Sequence, residues 1–97
     1  MIQATLKRSQ KQVNISISGH AGFAPYGKDI VCSAVSVLMQ HTASHLSKAN
    51  VIDDGKHYEL TADIQNDIDE AFVSALQDTL SLIAGSYPKN FSLIIEG

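Results

Sequence analysis

Residues 2–18, Ile2-Gln3-Ala4-Thr5-Leu6-Lys7-Arg8-Ser9-Gln10-Lys11-Gln12-Val13-Asn14-Ile15-Ser16-Ile17-Ser18, decide the fold class. Ile2, Ala4 and Leu6 alternate with Gln3, Thr5 and Lys7, and Val13, Ile15 and Ile17 alternate with Asn14, Ser16 and Ser18. A period of two places every apolar side chain of a run on one face, so each run reads as a half-buried strand. The polar step Arg8-Ser9-Gln10-Lys11 turns the chain between them, giving a β-hairpin with one apolar face. That face needs a cover.

Two helical stretches supply it. From about Asp29 to Lys48, Val31, Val35, Leu38, Thr42, Leu46 and Ala49 share one stripe, with Met39 beside it. Asp29 suits the N-cap, where its carboxylate accepts the orphan N–H of Val31 or Cys32. A second helix, from about Asn66 to Ala84, turns Ile68, Phe72, Leu76, Leu80 and Ile83 inward. Gly85 suits its C-terminal cap, and Pro88 prevents continuation. Between the helices, Val51-Ile52 reads as a short strand, Asp53-Asp54-Gly55 as a tight turn and His57 to Ala62 as the next strand. Phe91, Leu93 and Ile95 alternate in a last strand. The order is ββαββαβ: one α+β domain over residues 1–97, with both helices on one face of a mostly antiparallel sheet. A split sheet is the alternative.

Composition narrows the function. With 44% hydrophobic and 18% charged residues the chain is an ordinary folded domain, not a disordered one. A formal net charge of −3 lacks the basic field of a nonspecific nucleic-acid binder, so no direct nucleic-acid partner is expected. No apolar run approaches the ~20 residues that span a bilayer, and the alternating N-terminus is unlike a signal peptide, so no membrane is expected either. One cysteine cannot close an internal disulfide, which fits a reducing cytoplasm. His41 and His45 have the i, i+4 spacing of zinc ligands, but no glutamate follows His41 and no further ligand cluster accompanies them. Neither a metal nor a cofactor is expected. Asp63, Asp67, Asp69 and Glu70 crowd the start of the second helix, where they favour its dipole; the alternative is an acidic patch for a basic partner.

The chemistry concentrates between hairpin and helix, in Gly19-His20-Ala21-Gly22-Phe23-Ala24-Pro25-Tyr26-Gly27-Lys28-Asp29-Ile30-Val31-Cys32. Cys32 falls in the first helical turn, near the partial positive charge of unpaired N–H groups. A histidine within reach can take the thiol proton, and His20 stands across the loop. Gly22 and Gly27 bracket Phe23, Pro25 and Tyr26, the makings of a lid that moves without substrate and orders with it. Asp29 is a cap that is also able to orient His20, and Ser36, one turn after Cys32, is a supporting residue. The plainer alternative is a thiol that merely packs and a histidine that is merely exposed.

The run Gly19-His20-Ala21, followed by Tyr26-Gly27-Lys28-Asp29-Ile30-Val31-Cys32-Ser33-Ala34-Val35-Ser36, resembles the signature of the ribosomal-processing cysteine proteases, the Prp family. The resemblance covers the whole chain, through the Asp-Gly turn, the second helix, Tyr87-Pro88 and the final strand. It implies a homodimeric cysteine endopeptidase that removes the N-terminal extension of a large-subunit ribosomal protein, number twenty-seven. In that reading Cys32 is the nucleophile and His20 its general base, while Asp29 and Ser36 match further motif positions. Gly19, Gly22, Phe23, Tyr26 and Gly27 form the substrate-binding loop, and backbone N–H groups at Cys32 and the helix start serve the oxyanion. The implied substrate carries two aromatic residues before alanine at the cut, then lysines. Ser33 departs from the pattern, standing where alanine is expected. A non-catalytic ribosome-associated binding module is the competing function. A redox sensor is a third, without a resolving cysteine in the chain.

Overall fold

The computed structural model describes residues 1–19 and 29–97. In chain order these form β1 (Ile2–Arg8), β2 (Gln12–Ser18), α1 (Ile30–His45), β3 (Lys48–Asp53), β4 (His57–Asp63), α2 (Asp67–Ser86) and β5 (Phe91–Glu96). The five strands make one sheet in the order β3-β4-β2-β1-β5. All neighbours are antiparallel except β1 and β5, which run parallel. The expected ββαββαβ order and mostly antiparallel sheet are present, in one sheet and not a split one.

Register turns the sequence alternation into a one-sided sheet. Val51, Leu60, Ile15, Leu6 and Ile95 line up across the five strands, and so do Tyr58, Ile17, Ala4 and Leu93. On this face Leu6, Ile15 and Leu60 are fully buried, together with Val73 and Leu80 of α2. Each such side chain withdrawn from water contributes about 1.5–3 kcal/mol. The opposite face is polar: Asn14 donates to Thr61 Oγ1 at 2.9 Å and Ser16 to Glu59 Oε2 at 3.3 Å. Arg8, at the end of β1, ties the sheet to α2 through Glu70 and the Ser74 hydroxyl.

The helix boundaries depart from the expected ones, and Asp69 explains much of the difference. This carboxylate is fully buried. Its Oδ1 accepts the Ser47 N–H and the Ser47 hydroxyl, both at 2.9 Å, and its Oδ2 accepts the Gln65 N–H at 3.0 Å. Holding Ser47 draws the chain out of the helical path, so α1 ends at His45 with Leu46 extended. Lys48–Asn50, expected as the last helical residues and the step beyond, are strand instead. Asp69 is therefore a core residue and no part of an acidic patch. Its neighbours disperse likewise: Asp63 faces Lys48 at 3.6 Å and Glu70 pairs with Arg8.

The buried stripe of α2 is Asp69, Val73, Leu76 and Leu80. Leu76 and Leu80 are as expected, but Ile68 is 65% exposed, and Phe72 and Ile83 only flank the core. Gly85 is not the cap. The Tyr87 N–H still bonds to the Ile83 carbonyl at 2.8 Å, so the helix runs to Ser86 and Pro88 follows its end. In α1 the buried residues are Val31, Val35, Met39 and Thr42, so Met39 takes the central place expected of Leu38.

Hydrogen bonds from Ser47 and Gln65 hold the Asp69 carboxyl below its ordinary value of 3.8. A lowered folded value stabilises the fold fully above that ordinary value, and the contribution is lost as pH falls through the folded one. Asp69→Asn should lower the urea midpoint at neutral pH and make the remaining stability less sensitive to acid. Urea titrations of both proteins at neutral and acid pH check this; parallel curves would refute it.

Candidate active site

Cys32 lies in the first turn of α1, half-buried, where Asp29 fixes the helix start. Asp29 is 2% exposed, and its Oδ1 accepts the N–H groups of both Val31 and Cys32 at 3.0 Å. The Ser33 hydroxyl donates to the Asp29 carbonyl, also at 3.0 Å. The expected N-cap is present, with a chemical consequence that the sequence did not reveal. The N–H groups of Val31 and Cys32, among those expected to serve an oxyanion, are engaged by a carboxylate.

The thiol opens onto a cleft of about 360 Å³ between α1 and the β3–β4 end of the sheet. Cys32, Ser36 and Gln40 follow one another at four-residue spacing along its α1 side, above Ile17, Val35 and Met39. Asp53 and Tyr58, paired across β3 and β4, line the other side. This second wall was missed in the sequence, although alternation along His57–Ala62 already sets Tyr58 on the face of Leu60. The turn that carries it is braced by its own carboxylates. Asp53 Oδ1 accepts the Gly55 N–H at 2.9 Å, while Asp54 Oδ1 accepts Lys56 N–H at 2.9 Å and His57 N–H at 2.7 Å. Those last two bonds hold the Asp54 carboxyl below its usual range. Burial, and then the Asp53 charge, push the Tyr58 phenol up, so it stays protonated as a donor.

Among the residues singled out in the sequence, Gly19, Cys32 and Ser36 meet in this cleft, with Asp29 at the helix start beside it. His20, Gly22, Phe23, Tyr26 and Gly27 lie outside the described residues. Gly19 has φ +90°, and a β-carbon there would run into the Met1 carbonyl oxygen, so glycine is required twice over.

The other histidines are occupied elsewhere. His45 Nδ1 is 2.8 Å from the His41 carbonyl, and its ring stacks on Phe72 with centroids 5.1 Å apart. His57 borders the cleft, yet its ring is on the polar face of the sheet, with Nε2 3.7 Å from Glu59. No cluster of metal ligands occurs among the described residues.

A thiol at a capped helix start beside a cleft, within a small α+β domain, defines a class that includes cysteine-dependent hydrolases. The chain belongs to the cysteine protease Prp family, which it matches over residues 1–92. The ribosomal processing cysteine protease Prp of Bacillus subtilis (strain 168) is 42% identical to it over 41 residues, 40% of this chain and 37% of that protein. The matched stretch thus spans little more than a third of that relative. The fold is similar to that of the S. aureus ribosomal processing protease Prp in complex with a covalently linked product peptide. That match has a TM-score of 0.86 and 24% identity, over 99% of this chain and 100% of the other. A Streptococcus mutans protein gives a TM-score of 0.73 and 28% identity, over 99% of this chain and 94% of its own.

Two substitutions test the frame around the thiol. Asp29→Ala should cost about 1 kcal/mol of stability by uncapping α1. Gly19→Ala should cost more, because it adds backbone strain to a collision with backbone. Chemical denaturation ranks the two, and a Gly19→Ala protein as stable as its parent would refute the steric requirement.

Proposed function

We propose that this chain is the endopeptidase that removes the N-terminal extension of large-subunit ribosomal protein number twenty-seven during ribosome assembly. The observation that carries the reading is Cys32 itself, held by the Asp29 cap in the first turn of α1 and facing a cleft, in a chain of the Prp family. In this reading the Cys32 thiolate attacks the scissile carbonyl, and protonated His20 gives its proton to the leaving amine. Water then hydrolyses the thioester with His20 as base, a Cys–His acyl transfer.

The assignment of His20 draws support from the partners of the other three histidines: His41 and His45 pack against Phe72, and His57 faces Glu59. Gly19, the residue before it, lines the same cleft as Cys32. Ser36 supports the site from one turn along α1. Its hydroxyl is not spent on a helix carbonyl as those of Ser33 and Ser44 are. Asp29 acts chiefly by fixing the helix start. Gly22, Phe23, Tyr26 and Gly27 contribute the loop that closes over the peptide. The working form is a cytoplasmic homodimer that uses no cofactor or metal and contacts neither nucleic acid nor membrane directly. No helix among the described residues is long and apolar enough to cross a membrane.

The test is incubation with a peptide spanning the extension and the mature start of that ribosomal protein, read by mass spectrometry. Wild-type protein should cut once, and Cys32→Ala should not cut while keeping its fold. His20→Ala should lose about 10²–10⁴-fold in kcat with peptide binding still measurable. Cleavage by pure Cys32→Ala, or no cleavage by the wild type, would leave the non-catalytic binding module as the better reading. If His20→Ala weakens binding alone, His20 is a substrate contact and the base lies elsewhere.

A further inference from the structure

A peptide that reaches Cys32 through the cleft continues across a neighbouring surface of the domain. Two observations identify that surface. First, β3 is hydrogen-bonded to β4 on one side only, and it closes one end of the sheet. All six of its residues are exposed, and no element among the described residues pairs with its outer edge. Edge strands are normally protected by charge, proline or a bulge. Between Lys48 and Asp53 the sequence is Ala49-Asn50-Val51-Ile52, with none of these devices. Val51 is 41% exposed although its register partners Leu60, Ile15 and Leu6 are buried, so burial falls off toward β3 on the apolar face.

Second, this open edge runs into the site. Asp53, the last residue of β3, lines the cleft that holds Cys32. The opposite edge strand, β5, contributes nothing to that cleft. An endopeptidase needs its substrate extended, and an extended chain satisfies its main-chain groups most simply by joining a sheet edge.

We propose that the outer edge of β3 docks the substrate as a sixth strand, whose end passes Asp53 to reach Cys32. The inference rests on the peptidase reading and adds to it the path of the peptide and the means of its recognition. Six residues of strand span about 20 Å, enough to engage about six residues of peptide main chain. Alternate peptide side chains would fall on the face of Ala49 and Val51, and those between them on the face of Asn50 and Ile52. Recognition on this edge is mainly of backbone, and tolerates varied side chains away from the cut.

Amide hydrogen exchange by NMR tests it directly, using isotope-labelled Cys32→Ala protein and the peptide spanning the ribosomal-protein extension. In a strand paired on one side, alternate N–H groups point outward. Those outward amides of residues 48–53 should exchange freely without peptide and slow by about tenfold or more with it. As a second readout, Val51→Asp in otherwise wild-type protein should raise KM severalfold and leave kcat nearly unchanged. Binding with no new protection in β3 overturns the proposal and leaves the peptidase reading intact. Protection already present without peptide, growing with protein concentration, overturns it in favour of a second copy of this chain on the edge. Absence of any binding overturns the substrate reading, and the docking proposal with it.

Discussion

Asp69 carries a carboxylate into the core and surrounds it with three donors from two parts of the chain. It takes the N–H and hydroxyl of Ser47, which ends the first helix, and the N–H of Gln65, which opens the second. Its own N–H is capped by Asn66 Oδ1 at 2.8 Å. A buried carboxylate without partners would be very unfavourable, so this arrangement is close to all-or-none. It sets where α1 stops, and therefore where β3 begins. The length of β3 then fixes the position of Asp53 and Tyr58, which form the far wall of the cleft. A polar contact distant from the thiol thus governs the shape of the space in front of it.

A second carboxylate does similar work at the other end of α1. Asp29 satisfies the first N–H groups of the helix and so holds Cys32 in a defined orientation. The same bonds place a negative charge where the bare helix end would have offered a positive one. The start of α1 gains rigidity and gives up part of the helix field.

The parts of this architecture legible in the sequence were those with short-range causes. Alternation gave β1, β2 and β4 their faces, and Asp29 announced its cap by its place ahead of an apolar stripe. The motif around Cys32 pointed to the Prp family. What was hidden depended on contacts far apart along the chain. Ser47 and Asp69 are 22 residues apart, and their bond overrides a stripe that otherwise continues as helix. Asp69 looked like one of several acidic residues favouring a helix start, because periodicity does not distinguish a solvated carboxylate from a buried one. The α2 stripe was misplaced at Ile68 for the same reason. Tyr58 and Asp53 escaped notice because their role needs the cross-strand register that pairs them.

The parallel pairing of β5 with β1 joins the two ends of the sequence. Ile2 lies opposite Phe91, and its N–H bonds to the Asn90 carbonyl at 2.9 Å. Ile2 is also part of the cleft beside Cys32. Contacts of such long sequence separation carry a high closure entropy and form late in folding. During synthesis, β1 has to wait for residues near 90 before its outer edge is filled. The order of manufacture therefore acts as a timer: the hairpin and first helix are made early, but the sheet gains its last edge strand only after nearly the whole domain has been made.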